Sequence, residues 1–144
     1  TTEIYTLSLH DALPILRNRV DFDGRDAAYY HFPMANKVEK YDTTQKEVKR
    51  WLNQIVRAFE NPGLAYPVLI HCLSGKDRTG IVVASLLLIL QIDVEAIVEE
   101  YLMSEGEVSR DLILQAIDGI GDVNTYFAGV DLDLVRRHIL SDQT

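Results

Sequence analysis

The residues at positions 71–80, His-Cys-Leu-Ser-Gly-Lys-Asp-Arg-Thr-Gly, have the types and spacing needed for chemistry on a phosphate group. Five residues separate Cys72 from Arg78, so the chain between them can wrap around one oxyanion and direct its backbone N–H groups onto it. The Arg78 guanidinium can bind two phosphate oxygens at once. The same dipoles, with the N-terminus of a following helix, stabilise a thiolate, which is the nucleophilic form of cysteine. The pattern therefore predicts a phosphate-binding loop with Cys72 as its nucleophile.

Two other interpretations of this segment are a structural cysteine and a nucleotide-binding loop. A lone cysteine at the end of a strand is commonly a small buried apolar residue, but here it is accompanied by a Gly-Lys pair, an arginine and a Thr-Gly pair. A nucleotide-binding P-loop needs glycine five residues before Gly-Lys and serine or threonine after it. Ile70 and Asp77 occupy those positions. The nucleotide loop is therefore excluded and the phosphate-binding loop is favoured.

The segments on either side of the loop are predicted to be buried. Residues 67–71 form a continuous apolar run, as expected for a strand covered on both faces. Residues 81–90 are apolar on nearly every side, which predicts a central, enclosed helix. A strand, a loop and a buried helix, in that order, aim backbone N–H groups at an anion.

The region before the loop is predicted to contain two short strands, at residues 16–20 and 29–34, and one amphipathic helix. Apolar residues from Val48 to Phe59 recur at helical spacing. Thr44 and Glu47, three residues apart, are predicted to form a capping box at the start of that helix.

The region after the loop is predicted to be helical. Asp93 and Ser109 are suitable N-caps for helices that run through Met103 and to about residue 117. Glycines 119, 121 and 129 predict a loop, and residues 131–140 a final amphipathic helix. The predicted class is α/β, with a small central, mostly parallel or mixed sheet flanked by helices.

The first fifteen residues, TTEIYTLSLHDALPI, resemble the conceptual translation of a common sequencing adapter. They are predicted to be a non-native segment, so His10 and Asp11 are set aside as catalytic candidates. Residues 16–144 are predicted to form a single catalytic domain that is truncated at its N-terminus. Because this segment is predicted to replace the native N-terminus, we do not expect it to show whether the protein carries a localisation signal.

Composition restricts the possible ligands and partners. The chain has 144 residues and a net charge of −8, which argues against a general surface for nucleic acid or anionic membrane. Its one cysteine excludes an internal disulfide and fits a reducing, cytoplasmic setting. The longest apolar run is too short to span a bilayer. No cluster of side chains has metal-ligand spacing, so neither a metal nor another cofactor is expected.

The segment 71–80 resembles the signature of the protein tyrosine phosphatase superfamily. Its Gly-Lys-Asp-Arg-Thr-Gly part and the later VEEYLMS at residues 98–104 resemble the atypical bacterial tyrosine and dual-specificity phosphatases, some of which also hydrolyse phosphoinositides. The resemblance covers residues 16–103. It implies a cysteine-dependent phosphatase fold, a nucleophilic Cys72, and Thr79 assisting the breakdown of a phosphocysteine. The phosphate-binding residues it implies are Leu73, Ser74, Gly75, Lys76, Asp77 and Arg78.

The general acid is not fixed by the sequence. Members of the superfamily usually carry an aspartate on a loop some way before the cysteine, and the local match at residues 32–36 ends in Asn36. An asparagine cannot donate a titratable proton. Asp77, inside the loop, and Asp42, at a suitable distance upstream, both remain candidates. Asp42 can equally serve to favour a helix N-terminus.

The expected function is metal-independent hydrolysis of phosphotyrosine in proteins, with dual-specificity or phosphoinositide activity as further expectations. Lys76 adds a cation that suits a highly phosphorylated small-molecule or lipid head group. The alternative is a module that binds phosphate or phosphoproteins without turnover, which Asn36 favours. No nucleic-acid partner is expected, and the oligomeric state is left open.

Overall fold

The computed structural model describes residues 4–8, 27–34, 38–64, 68–71, 77–104 and 108–141. These residues are mostly helical, with a small sheet, so the predicted α/β class is confirmed in its coarse form. The elements found within them, in chain order, are strands β1 (Ile4–Ser8) and β2 (Ala27–His31), helix α1 (Lys46–Ala58), strand β3 (Val68–His71), and helices α2 (Asp77–Ile89), α3 (Val94–Leu102), α4 (Arg110–Ile120), α5 (Val123–Tyr126) and α6 (Leu132–Ser141).

The sheet has the order β2-β1-β3, and both of its pairings are parallel. The strand predicted at residues 29–34 begins and ends earlier, as β2, and the strand predicted before the loop is confirmed as β3. The strand predicted at residues 16–20 lies outside the described residues.

The middle strand β1 comes from the segment that the sequence sets aside as non-native. Its Thr6 lies opposite Tyr29 of β2 and Leu69 of β3. A strand is held by its neighbours through backbone N–H and C=O groups, and residues such as isoleucine, tyrosine and threonine favour the extended conformation whatever their origin. The pairing therefore does not bear on where residues 1–15 come from, and their non-native origin stays a prediction.

Helix α1 packs its apolar face into the core and is linked to the segment that follows β2. The Trp51 Nε1–H donates to the Phe32 carbonyl oxygen at 2.7 Å. The predicted capping box is wrong, because Gln45 is the N-cap and makes no side-chain capping hydrogen bond. The Asp42 carboxylate instead accepts from Thr44 and Gln45. The buried residues of α1 are Val48, Trp51, Leu52, Ile55 and Val56.

Helix α2 is the central helix of the core, as predicted, but it begins at Asp77 rather than at Ile81. The last four residues of the predicted loop are therefore its first turn. An acidic residue in the first turn is favoured by the helix dipole, which accounts for the early start. The one buried hydroxyl in the helix, Ser85 Oγ, donates to the Ile81 carbonyl at 2.8 Å. No helix in the described part of the chain is long and apolar enough to cross a membrane.

The two predicted N-caps downstream are confirmed. The Asp93 carboxylate accepts from the Glu95 N–H, and Ser109 Oγ accepts from the Leu112 N–H. The prediction that Gly119 lies in a loop is wrong, because α4 continues through it. A Cβ at Gly119 would collide with Thr43 Oγ1, so this glycine lets α4 pack closely against the segment before α1.

Candidate active site

The first turn of α2 carries three of the predicted site residues, Asp77, Arg78 and Thr79. It follows β3 after five residues, so the strand and the helix have the predicted order. Cys72 and the predicted phosphate-binding residues 73–76 lie outside the described residues. The structure therefore describes the start of α2 and the side chains around it.

Arg78 is buried at this helix start, with 6% of its surface exposed. A guanidinium is rarely buried unless charged or polar groups are arranged around it. Buried charges also interact more strongly with an anion than exposed ones, because little water screens them. The first-turn N–H groups of α2 contribute a further positive potential. This end of α2 is therefore suited to an anion.

Two tyrosines connect Asp77 to the rest of the core. Tyr41 Oη donates to Asp77 Oδ1 at 2.7 Å, and it lies 2.6 Å from the Oη of Tyr101 on α3. The Tyr41 hydroxyl has only one proton, and when that proton is given to a carboxylate, Tyr101 must donate to Tyr41. The three side chains thus form a hydrogen-bonded chain that runs from α3 to the start of α2.

Burial raises the pKa of Tyr41, and its hydrogen bonds with Tyr101 and Asp77 raise that pKa further. The Tyr41 hydroxyl consequently stays protonated and available as a donor at neutral pH. It is also buried, with 4% of its surface exposed. The Asp77 side chain is therefore held by a permanent donor from outside its own helix.

Gly80 allows this chain to form. A Cβ at Gly80 would lie 2.8 Å from Cε1 and 2.9 Å from Cδ1 of the Tyr101 ring, closer than carbon atoms pack. The absence of a side chain at this position lets the ring lie against the first turn of α2. The glycine that follows Arg78-Thr79 in the sequence therefore has a packing role as well as a place in the motif.

Asp42 has a different environment. It accepts hydrogen bonds from the backbone N–H and the hydroxyl of Thr44, and from the Gln45 amide at 3.4 Å. The Thr44 hydroxyl is the main cause that lowers the pKa of Asp42. Its partners all lie within three residues, at the entry to α1. The structure thus places Asp77 beside Arg78 and gives Asp42 a local role at the entry to a helix.

The upstream segment at residues 32–36 is described only as far as Met34. Met34 is buried, with 4% of its surface exposed, and the Phe32 carbonyl is held by Trp51. Asn36 lies outside the described residues. Among the described residues, no group of histidine, cysteine, aspartate and glutamate side chains could hold a metal ion.

Tyr41 and Tyr101 are the site residues that sequence reasoning missed, since tyrosines at helical spacing are most simply core residues. Their contacts to each other and to Asp77 span 60 and 36 positions of sequence. The only local signal is Gly80, a small residue at a helix start where a neighbouring ring can approach.

Two comparisons with known proteins identify the family of this chain. The sequence pattern of a family described as the tyrosine phosphatase family matches residues 15–136. The chain is also 40% identical over 67 residues to the triple specificity protein phosphatase PtpB of Mycobacterium tuberculosis, a match that spans 46% of this chain and 23% of that protein. The family match begins where the adapter-like segment ends and covers well over half of the sequence. The chain therefore belongs to the tyrosine phosphatase family.

Proposed function

We propose that the chain is a cysteine-dependent phosphomonoester hydrolase that acts on phosphotyrosine in proteins. The observation that carries the proposal is the first turn of α2, which presents a buried Arg78 and a tyrosine-held Asp77 directly after the segment that contains the chain's one cysteine. Membership of the tyrosine phosphatase family supports it.

The proposed reaction has two steps. In the first, the Cys72 thiolate attacks phosphorus, a sulfur–phosphorus bond forms, and the bond to the leaving oxygen breaks while that oxygen takes a proton from an aspartic acid. In the second, water attacks the phosphocysteine and gives a proton back to the aspartate, while the sulfur–phosphorus bond breaks and releases inorganic phosphate and the thiolate, with the Thr79 hydroxyl assisting. Arg78 and the backbone N–H groups hold the phosphate oxygens in both steps.

Asp77 is the proposed general acid. It lies in the first turn of the helix that bears Arg78, and its carboxyl oxygen is positioned by Tyr41. Asp42 instead accepts its hydrogen bonds from Thr44 and Gln45 at the entry to α1. The place of Asp77 on the helix that bears Arg78 therefore favours it over Asp42.

A second candidate function is phosphoprotein binding without turnover. It is favoured by Asn36, which stands where the superfamily usually has its acid. A wider substrate range, including phosphoserine, phosphothreonine and phosphoinositides, is proposed alongside tyrosine specificity because Lys76 adds a cation to the loop. Steady-state hydrolysis of matched phosphopeptides and a short-chain phosphoinositide separates these possibilities.

Alkylation of the one thiol tests the proposal directly. Iodoacetate at pH 6 should inactivate hydrolysis of p-nitrophenyl phosphate in step with modification of one cysteine per chain. A loop that stabilises the thiolate should make the reaction about tenfold faster than that of a free thiol, since greater ionisation outweighs lower intrinsic nucleophilicity. Inorganic phosphate should protect both thiol and activity. Full activity after complete modification would falsify cysteine-dependent hydrolysis.

Replacing Tyr41 with phenylalanine should lower kcat about tenfold, because the hydrogen bond that holds the Asp77 carboxyl is lost and Asp77 is less well positioned. Steady-state rates with p-nitrophenyl phosphate, measured at the optimal pH of the wild type, test this effect.

Tyr126→Phe is the matched control for Tyr41→Phe. Tyr126 is also buried, with 6% of its surface exposed, and its hydroxyl donates to the Thr43 carbonyl at 2.7 Å. This variant should cost similar stability and leave kcat close to that of the wild type. An equal loss of kcat in the two variants would show that Tyr41 has only a structural role.

A further inference from the structure

Helix α1 carries a concentrated positive face on its outer side. Lys46, Lys49, Arg50 and Arg57 are all exposed and line one open cleft of about 490 Å³ between α1 and the segment around α5. This feature, called the basic cleft below, lies on a different element from the phosphate site at the start of α2.

The charge of the basic cleft is opposite to that of the rest of the chain. The net charge is −8, yet four of the 14 basic residues line this one cleft and no carboxylate is among its lining residues. Within the described part of the chain, none of the four cations forms an ion pair with an acidic side chain. By contrast, Arg110 on α4 pairs with Glu95 at 2.7 Å.

The arrangement is unfavourable for the helix itself. Lys46 lies three residues from Lys49 and four from Arg50, and like charges at these spacings repel each other on a helix. The one acidic residue of α1, Glu47, is not among the residues that line the cleft. A bound anion would relieve this repulsion.

The floor of the cleft is held by specific contacts. The Asn53 amide donates to the carbonyls of Lys49 at 2.8 Å and Tyr126 at 3.2 Å, and Arg57 donates to the Gly129 carbonyl at 3.2 Å. The Lys49 ammonium lies 5.4 Å from the centre of the Tyr126 ring, within range of a cation–π interaction. Lys49 and Arg57 are therefore held against the neighbouring segment.

We propose that the basic cleft binds a short acidic peptide segment of a protein partner in extended conformation. The cations extend over twelve residues of helix from Lys46 to Arg57, a length of about 16 Å. An extended peptide of about five residues covers that length. A single phosphate group is too small to contact cations spread so widely. A nucleic acid or an anionic membrane would also meet the acidic remainder of the surface and be repelled.

The test is fluorescence anisotropy with a labelled hexaglutamate peptide and, as control, a hexaglutamine peptide of the same design. Orthovanadate is kept saturating, so that the phosphate site cannot contribute and the result does not depend on the proposed phosphatase activity. The protein should bind hexaglutamate and not hexaglutamine, and added salt should weaken binding.

The informative variant is Lys49→Gln combined with Arg50→Gln. Each neutralised cation should weaken binding about two- to fivefold, so the double variant should bind about four- to 25-fold more weakly. Its thermal midpoint should stay close to that of the wild type, because the removed like-charge repulsion offsets the lost contact of Lys49 with Tyr126. This measurement separates lost binding from a lost fold. Arg137→Gln is the matched control, since Arg137 is exposed on α6, and it should bind as the wild type does.

Three outcomes would overturn the proposal. The first is equal affinity of the wild type and the double variant for hexaglutamate. The second is an equal loss of affinity in the Arg137→Gln control, which would show that the effect depends only on the net charge of the protein. The third is self-association of the wild type that the double variant abolishes, without any binding of hexaglutamate, which would assign the cleft to a second copy of this chain.

Discussion

Cys72→Ser should abolish turnover of p-nitrophenyl phosphate while inorganic phosphate still binds. A serine hydroxyl does not ionise in the pH range in which a thiol does, so the attacking anion is lost. Removing a catalytic nucleophile lowers kcat by about 10³- to 10⁶-fold. Binding should persist because Arg78, buried at the start of α2, and the helix N–H groups remain in place.

Steady-state rates and calorimetric titration with phosphate measure the two effects separately. Arg78→Lys is the complementary variant, since a point charge cannot replace a two-oxygen contact, and it should lose phosphate affinity as well as turnover. Rates of Cys72→Ser within tenfold of the wild type would exclude a cysteine nucleophile. A wild type that binds phosphate with no turnover at any pH would instead select the binding module.

The sequence predicts best where the signal is local. The apolar run after the loop requires an enclosed helix, and α2 is that helix. Asp93 and Ser109 cap α3 and α4 as predicted because a cap depends on residues two or three positions away. The predicted capping role of Thr44 is wrong for a reason that is also local. The Asp42 carboxylate accepts from the Thr44 hydroxyl and backbone N–H, and the helix begins later.

Contacts between distant elements could not be predicted from local patterns. Gly119 belongs to a glycine-containing stretch that is typical of a loop, but α4 continues through it. Thr43 lies so close to this position that only glycine fits. Tyr41 and Tyr101 look like ordinary core residues, and only the tertiary packing brings Tyr41, from the segment before α1, to Asp77 and brings Tyr101, from α3, to Tyr41. The motif of the candidate site can therefore be predicted from the sequence, but the tyrosines that position Asp77 cannot.

Asp77→Asn should lower kcat about 10²- to 10⁴-fold, the usual contribution of a general acid. A general acid must be protonated, so its ionisation makes activity fall as pH rises and produces the basic limb of the pH–rate profile. An asparagine does not titrate, so that limb should disappear. The acidic limb, which reports ionisation of the nucleophile, should remain. Measurement of kcat from pH 4 to 9, with p-nitrophenyl phosphate as substrate, shows both limbs.

Asp42→Asn is the matched comparison, and it gives the opposite expectation. The Asp42 carboxylate accepts its hydrogen bonds from Thr44 and Gln45, and the Thr44 hydroxyl is the main cause that lowers its pKa, so its contacts serve the entry to α1 rather than the proposed reaction. Its replacement should weaken the entry to α1 and leave the basic limb intact. If the limb instead persists in Asp77→Asn and vanishes in Asp42→Asn, the acid is the upstream aspartate. The tyrosine chain on Asp77 then serves only to hold the start of α2.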